Sequence, residues 1–351
     1  MKSIYYLLFS VVLLSCRTNP TPPETVLTLS QEERILFLDS LEAIQFIQQD
    51  PMEGFFEQIT DLDMQIQLQK PYPSPPPRTQ ILSDYRDLLS RDVAAFTDKE
   101  QQLLSQTWRK AYKDCNSILP GLFPDTISLI KTLANHYGPG VYYTRGNGIV
   151  IPQNELYGDN GDTLYDVMLH ELFHVWSRFH PEKRQQLYSL IGFRKLPVGT
   201  KALEMNNALR SRILLNPDGI DYSYTIQLVK KDGHLIDAIP IIISNRQEFS
   251  KEQPGFFSYL SFQLFPIEKT PNDQYKVIST AEGLAPENLI EGSNFLSIIK
   301  DNTGYIIHPD EIMADNFVLW VKQHRTEEPI ELSLSEEGQK LLDRIHAVLM
   351  D

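Results

Sequence analysis

The chain has 351 residues, with 32 Lys plus Arg against 46 Asp plus Glu and a formal net charge of −14. That balance disfavours nucleic acid and anionic membrane surfaces as partners. A hydrophobic content of 42% supports a substantial core, either one large domain with lobes or two smaller ones.

Met1-Lys2 precedes an apolar run from Ile4 to Leu14 that ends in Leu13-Leu14-Ser15-Cys16. The run falls short of the roughly 20 apolar residues a spanning helix needs. It resembles a bacterial lipoprotein signal over residues 1–16, which implies lipidation at Cys16 and a chain held at the cell envelope by that anchor alone. Residues 17–29, with Pro20, Pro22 and Pro23, read as a tether. Cys115 then has no partner for an intramolecular disulfide and is expected as a small buried apolar residue.

Residues 30–77 read as an N-terminal helical extension with a Pro-rich spacer. Ser30 with Glu33 forms a cap signature, and Ile35, Leu36, Leu38, Leu41, Ile44 and Ile47 give an amphipathic stripe. Phe55, Phe56, Ile59, Leu62 and Met64 follow Pro51, and KPYPSPPP marks the spacer at residues 70–77. Helix is expected over 80–115 and again over 126–138. VYYTRGNGIVIP then reads as a hairpin or bulged strand.

The segment His170-Glu171-Leu172-Phe173-His174 carries the chemistry. On a helix, positions four apart share a face, so both imidazoles can address one metal ion, and Glu171 can reach a water in its open position. The helix itself is signalled by Asp162 or Thr163 as N-cap, with Asp166 completing a box-like pattern and Pro181 closing the run.

Helix continues over 185–192, and KALEMNNALRSRIL is helix-like. Asn216-Pro217-Asp218-Gly219 reads as an Asx-type turn, or as a contributor to a cleft. Residues 222–302 read as antiparallel β, followed by helices at Pro309–His324 and Ser333–Met350.

Two histidines need a third protein ligand to hold a catalytic zinc. His180, six residues beyond His174, matches HExxHxxGxxH except that Ser177 replaces the turn-forming Gly. Glu311 competes from a helix opened by Pro309, with Asp315 four residues on along the same face. His308 and Glu204 are outsiders.

HExxH followed by Glu-x-x-x-Asp resembles the gluzincin clan of thermolysin-like metallopeptidases. The resemblance covers the motif helix and the Glu311 helix only. It departs from the clan in the long β-rich insertion between them and in His-Pro-Asp before Glu311. It implies Glu311 as third ligand and Asp315 as the acceptor that orients His170. It also implies a mixed α+β, zincin-like catalytic domain over 78–351 with insertion 222–302, and a strand beside the motif helix against which a peptide pairs; plain sheet core is the alternative for that strand. The arrangement also resembles zincin-like lipoproteins of bacteria.

The function these readings predict is a zinc peptidase acting on peptides or proteins outside the cytoplasm. Zn2+ would be the cofactor and Glu171 the base that activates its water. Tyr222, Tyr224, Tyr305 and Arg145 are candidates to face the oxyanion. The alternatives are an inactive surface binding module and an amidase of cell-wall links.

Overall fold

The computed structural model describes residues 25–72, 76–157, 161–198, 202–253, 255–272, 274–327 and 329–351. The expected signal with Cys16, and residues 17–24 of the tether, lie outside these. The architecture is mixed α+β, with two six-stranded sheets among the described residues.

The chain opens on a hairpin where tether and helix were expected. β1 (Val26–Thr28) pairs antiparallel with β2 (Arg34–Phe37). The Ser-x-x-Glu signature serves its turn: Ser30 Oγ accepts from the Glu32 and Glu33 amides at 3.1 and 3.2 Å. Ile35 and Phe37 are buried at period two, so strand wins over helix here. β2 pairs in parallel with β4 (Thr126–Thr132), the segment expected as helix. β4 also pairs with β6 (Gly148–Pro152), and six of its seven residues are buried because helices cover both faces of the sheet. A strand covered on both faces shows no alternation, and its sequence reads like a buried helix. β6 forms the expected hairpin with the edge strand β5 (Tyr143–Arg145).

β3 (Val93–Ala94), paired with β4, splits the 80–115 helix into α4 (Arg78–Asp92) and α5 (Asp98–Ile118). Thr97 and Glu100 form a capping box that restarts α5. Alternate residues of the first sheet serve two cores. Ile130, Tyr143 and Val150 meet α1 (Ser40–Ile47), α2 (Phe55–Gln58), α3 (Asp61–Leu68) and α4. Leu129, Ile149 and Ile151 join α5, α6 (Gly161–Phe179) and α11 (Pro309–His324). Strands from either side of residue 77 therefore share one sheet, and Cys115 is buried in the second of these cores.

The second sheet runs β7 (Phe193–Lys195), β9 (Tyr224–Val229), β10 (Leu235–Ser244), β11 (Leu260–Lys269), β12 (Tyr275–Val277), β8 (Leu203–Glu204). Antiparallel β is thus present where expected, but only to Val277. α9 (Leu289–Gly292), capped by Asn288, and α10 (Phe295–Ile299) occupy the end of the 222–302 segment. β8 and the short α8 (Asn207–Arg212) replace the long helix read in KALEMNNALRSRIL. α7 (Pro181–Leu190) and α12 (Glu336–Met350) complete the fold. No helix among the described residues is long and apolar enough to cross a membrane.

α6 packs on α11, and this pairing positions the site. Phe173 lies 5.6 Å from Phe317, ring to ring, and Lys322 Nζ reaches the Asp166 carboxylate at 2.7 and 3.0 Å. Asp166 therefore ties the two helices together instead of capping α6. Each buried aromatic of this kind contributes roughly 1.5–3 kcal/mol through area removed from water.

Candidate metal centre

His170 and His174 project from one face of α6, and Glu311 from the first turn of α11 meets them. Glu311 Oε2 lies 3.0 Å from His170 Nε2 and 3.4 Å from His174 Nε2. The start of α11 is fixed by His308, whose Nδ1 accepts from the Asp310 amide at 3.1 Å, and by Pro309 at its first position. Asp310 and Glu311 are each 1% exposed.

Each imidazole carries its own carboxylate on the opposite ring nitrogen. His170 Nδ1 meets Asp315 Oδ1 at 2.9 Å, and His174 Nδ1 meets Asp310 Oδ2 at 2.8 Å. A carboxylate can only accept, so each Nδ1 donates and each Nε2 is left with its lone pair facing Glu311. Three acceptors then converge on one point, which is unfavourable unless a cation or protons lie between them. His174 Nε2 is buried with no hydrogen-bond partner. Ligand atoms about 2.1 Å from a tetrahedral cation stand roughly 3.4 Å apart. The donor set therefore fits a divalent ion of the nitrogen-and-oxygen type.

Without a cation, protons take that place. Burial works against a charged His170, but its hydrogen bonds to Asp315 and Glu311 outweigh it and push its pKa up to about 10. His174 also rises well above the ordinary value: burial opposes this, and the charges of Glu311, Asp218 and Asp310 prevail. Glu311 falls well below the usual carboxylate range, with the charge on His174 overcoming burial. A histidine raised from 6.5 to about 10 contributes fully below pH 6.5 and loses that contribution as pH climbs to about 10. The metal-stripped chain should therefore melt at progressively lower temperature between about pH 7 and 9.5, whereas a bound cation should hold the midpoint up. Thermal melts with and without a chelator check this, and a flat profile for the stripped chain would refute it.

Glu171 is buried beside this trio and lines a cleft of about 590 Å³. Its Oε2 has no hydrogen-bond partner. Burial, and then the neighbouring Asp218 charge, push its pKa up to about 8. Glu171, His174 and Asp218 form a second close group of donor atoms. Asp218 Oδ1 accepts from both the amide and the hydroxyl of Thr144 at 2.6 Å. The outward donor of edge strand β5 is thus already taken by this chain, and Gly140, Val141 and Tyr142 line the cleft instead.

Of the four oxyanion candidates, only Tyr305 lines the cleft, its ring stacked 6.1 Å from His170. Arg145 is buried against Phe55 and donates to the Ile47 carbonyl. Tyr222 lines a separate cavity, and Tyr224 packs on Tyr188. His180 lies outside the trio: its Nδ1 bonds the Trp176 carbonyl at 2.8 Å, its ring stacks on Trp176, and it is exposed. His308 serves as the cap of α11, and Glu204 is exposed on β8.

One site residue, Asp310, escaped sequence reasoning, and the contacts of two others were not foreseen. Asp310 reads as a favourable acid at a helix start, although its i,i+1 position beside Glu311 places it toward the second histidine. The segment 216–219, expected as a turn or as a contributor to a cleft, does line it through Asn216 and Asp218, and Asn216 Nδ2 donates to Glu311 Oε1 at 2.5 Å. Comparisons with family models, with curated proteins and with solved structures returned no match to this chain.

Proposed function

We propose that this chain is a zinc-dependent peptidase with a zincin-like domain of the gluzincin type, held at the cell envelope through a lipid on Cys16. One observation carries the reading: the two Nε2 atoms and Glu311 Oε2 converge, each histidine is backed by its own carboxylate, and Glu171 stands free beside them in a cleft. The envelope assignment is supported by the pattern at residues 1–16 alone.

Zinc, when bound, supplies a Lewis acid that polarises a scissile carbonyl and acidifies water. His170, His174 and Glu311 would hold it, and Asp315 and Asp310 would keep both imidazoles in the ligating tautomer. Glu171, which lines the cleft with its Oε2 unpartnered, would accept the proton of the attacking water and deliver it to the leaving amine. Tyr305, whose pKa the charge of Glu311 and burial raise, stays protonated and can donate across the cleft.

The cleft walls favour apolar substrates through Val141, Val167, Leu215, Phe256, Phe257 and Leu260. Among the described residues no Lys or Arg lines it, so nothing there would neutralise a substrate's free carboxylate. The purified chain should cleave internal bonds of apolar, end-blocked peptides, lose that activity on chelation and regain it with zinc. Peptides placing a free C-terminal carboxylate next to the bond should be poor substrates. Full zinc occupancy with no cleavage across such a panel would refute the reading and favour a binding module.

A further inference from the structure

We infer that Asn216 is a positioning residue that dictates which oxygen of Glu311 faces the two imidazoles. The inference rests on the metal reading above and concerns a residue outside both helices that carry the motif. Glu311 has two oxygens with separate assignments. Oε2 points at His170 and His174, while Oε1 accepts from Asn216 Nδ2 at 2.5 Å. Asn216 is 7% exposed and Glu311 1% exposed, so water has little access to replace that donor. Turning Oε1 toward a cation would break a buried, charge-assisted bond. Glu311 would thereby offer a bound cation Oε2 alone, and a third donor of that kind would leave room for water or substrate.

The turn that presents Asn216 is anchored on every side. Leu215 N donates to Asp63 Oδ2 at 2.9 Å, and Thr60 Oγ1 donates to the Ile213 carbonyl at 2.9 Å, so α3 braces the approach. Gly219 N closes the turn on the Asn216 carbonyl at 3.2 Å, and Asp218 fastens it to Thr144. Gly219 seats against the N-cap of α11, where an added Cβ would fall 2.3 Å from His308 Nδ1. The turn therefore registers on the Glu311 helix at two points, a side chain and a cap.

A plain turn-former would also explain an Asn here, and Asn216→Asp separates the two roles. Asp keeps the shape and the Asx-type acceptor for the Asp218 amide, but replaces the donor with a second carboxylate facing Glu311. The experiment titrates cobalt(II) into the metal-stripped full chain, reading affinity by competition with a chromophoric chelator and coordination by the visible absorption bands. Glu311→Ala serves as the control without the third ligand. Asn216→Asp should bind cobalt at least about tenfold more weakly than wild type, with altered bands, as loss of a ligand's supporting bond typically costs about 10–100-fold. Asn216→Ala makes the same comparison if the Asp variant does not fold. Affinity within about twofold of wild type together with unchanged bands would overturn the inference while leaving the metal reading intact. No cobalt uptake by the wild-type chain would overturn the metal reading and this inference with it.

Discussion

Glu171→Gln is expected to keep its metal, lose hydrolysis and gain stability. Glu171 is outside the trio that converges at 3.0 and 3.4 Å, so an uncharged isostere should leave metal content unchanged. Removing a carboxylate whose Oε2 is buried without a hydrogen-bond partner in the cleft takes away the proton acceptor, a loss of about 10²–10⁴-fold in rate. The stability change comes from the same environment. Burial and the Asp218 charge raise the Glu171 pKa from 4.5 to about 8, so its ionised form is the disfavoured one in the folded chain. By linkage, the native state loses stability as pH rises above 4.5, and the loss is complete above about pH 8. A Gln at this position avoids that loss. Metal analysis, turnover on an apolar peptide and thermal melts of the metal-stripped chain near pH 8 test all three parts. A variant with full metal and near-wild-type turnover would remove Glu171 from its role.

Asp310→Ala should be the most damaging single truncation near the site. Asp310 accepts from His174 Nδ1 at 2.8 Å, from Ser177 Oγ at 3.3 Å and from the Tyr188 hydroxyl. Its pKa is held at about 2: burial raises it, and the charges on His174 and Arg184 pull it down further. Truncation leaves His174 Nδ1 and the Tyr188 hydroxyl buried without that acceptor, with an expected loss of about 3–5 kcal/mol of stability. The negative charge is also removed from the first turn of α11, where the helix dipole favours it. Asp310→Asn keeps the size and one acceptor, so it should fold while binding zinc about 10–100-fold more weakly. Denaturant unfolding of the Ala variant and zinc affinity of the Asn variant check the pair. An Ala variant within about 1 kcal/mol of wild type would contradict the account.

The site is more legible in the sequence than the sheet that supports it. His170 and His174 share a helical face by spacing alone, and Pro309 fixes the start of α11 so that Glu311 and Asp315 fall on one side. Asp310 stays hidden because an acid at a helix start already has an ordinary explanation in the dipole. For Asn216 and Asp218 turn and cleft readings stay open, because turn residues are chosen for backbone reasons and nothing local reveals which elements their side chains reach. β2 and β4 are misread for a different cause. Helical layers cover both faces of the paired strand β4, which erases the period-two signal, and the Ser30–Glu33 hydrogen bonds that cap a helix also close a hairpin turn. Long-range pairing decides such segments, and a local pattern does not contain it.

The N-terminal helices brace the site. Thr60 and Asp63 hold residues 213 and 215, Glu53 Oε2 accepts from Arg178 Nε at 2.8 Å, and Arg145 donates to Ile47. Arg178 in turn donates to Thr144 and to the Gly146 carbonyl, linking α6 to the β5–β6 hairpin. This scaffold explains how a buried cluster of carboxylates and imidazoles is kept in register.

Crystals of the zinc-loaded chain, measured on both sides of the zinc absorption edge, test the central claim most directly. The account predicts one anomalous peak about 2.0–2.2 Å from His170 Nε2, His174 Nε2 and a single oxygen of Glu311. A peak coordinated by His180 or His308 with Glu311 turned away, or no peak between the two histidines in crystals grown with zinc, would contradict it.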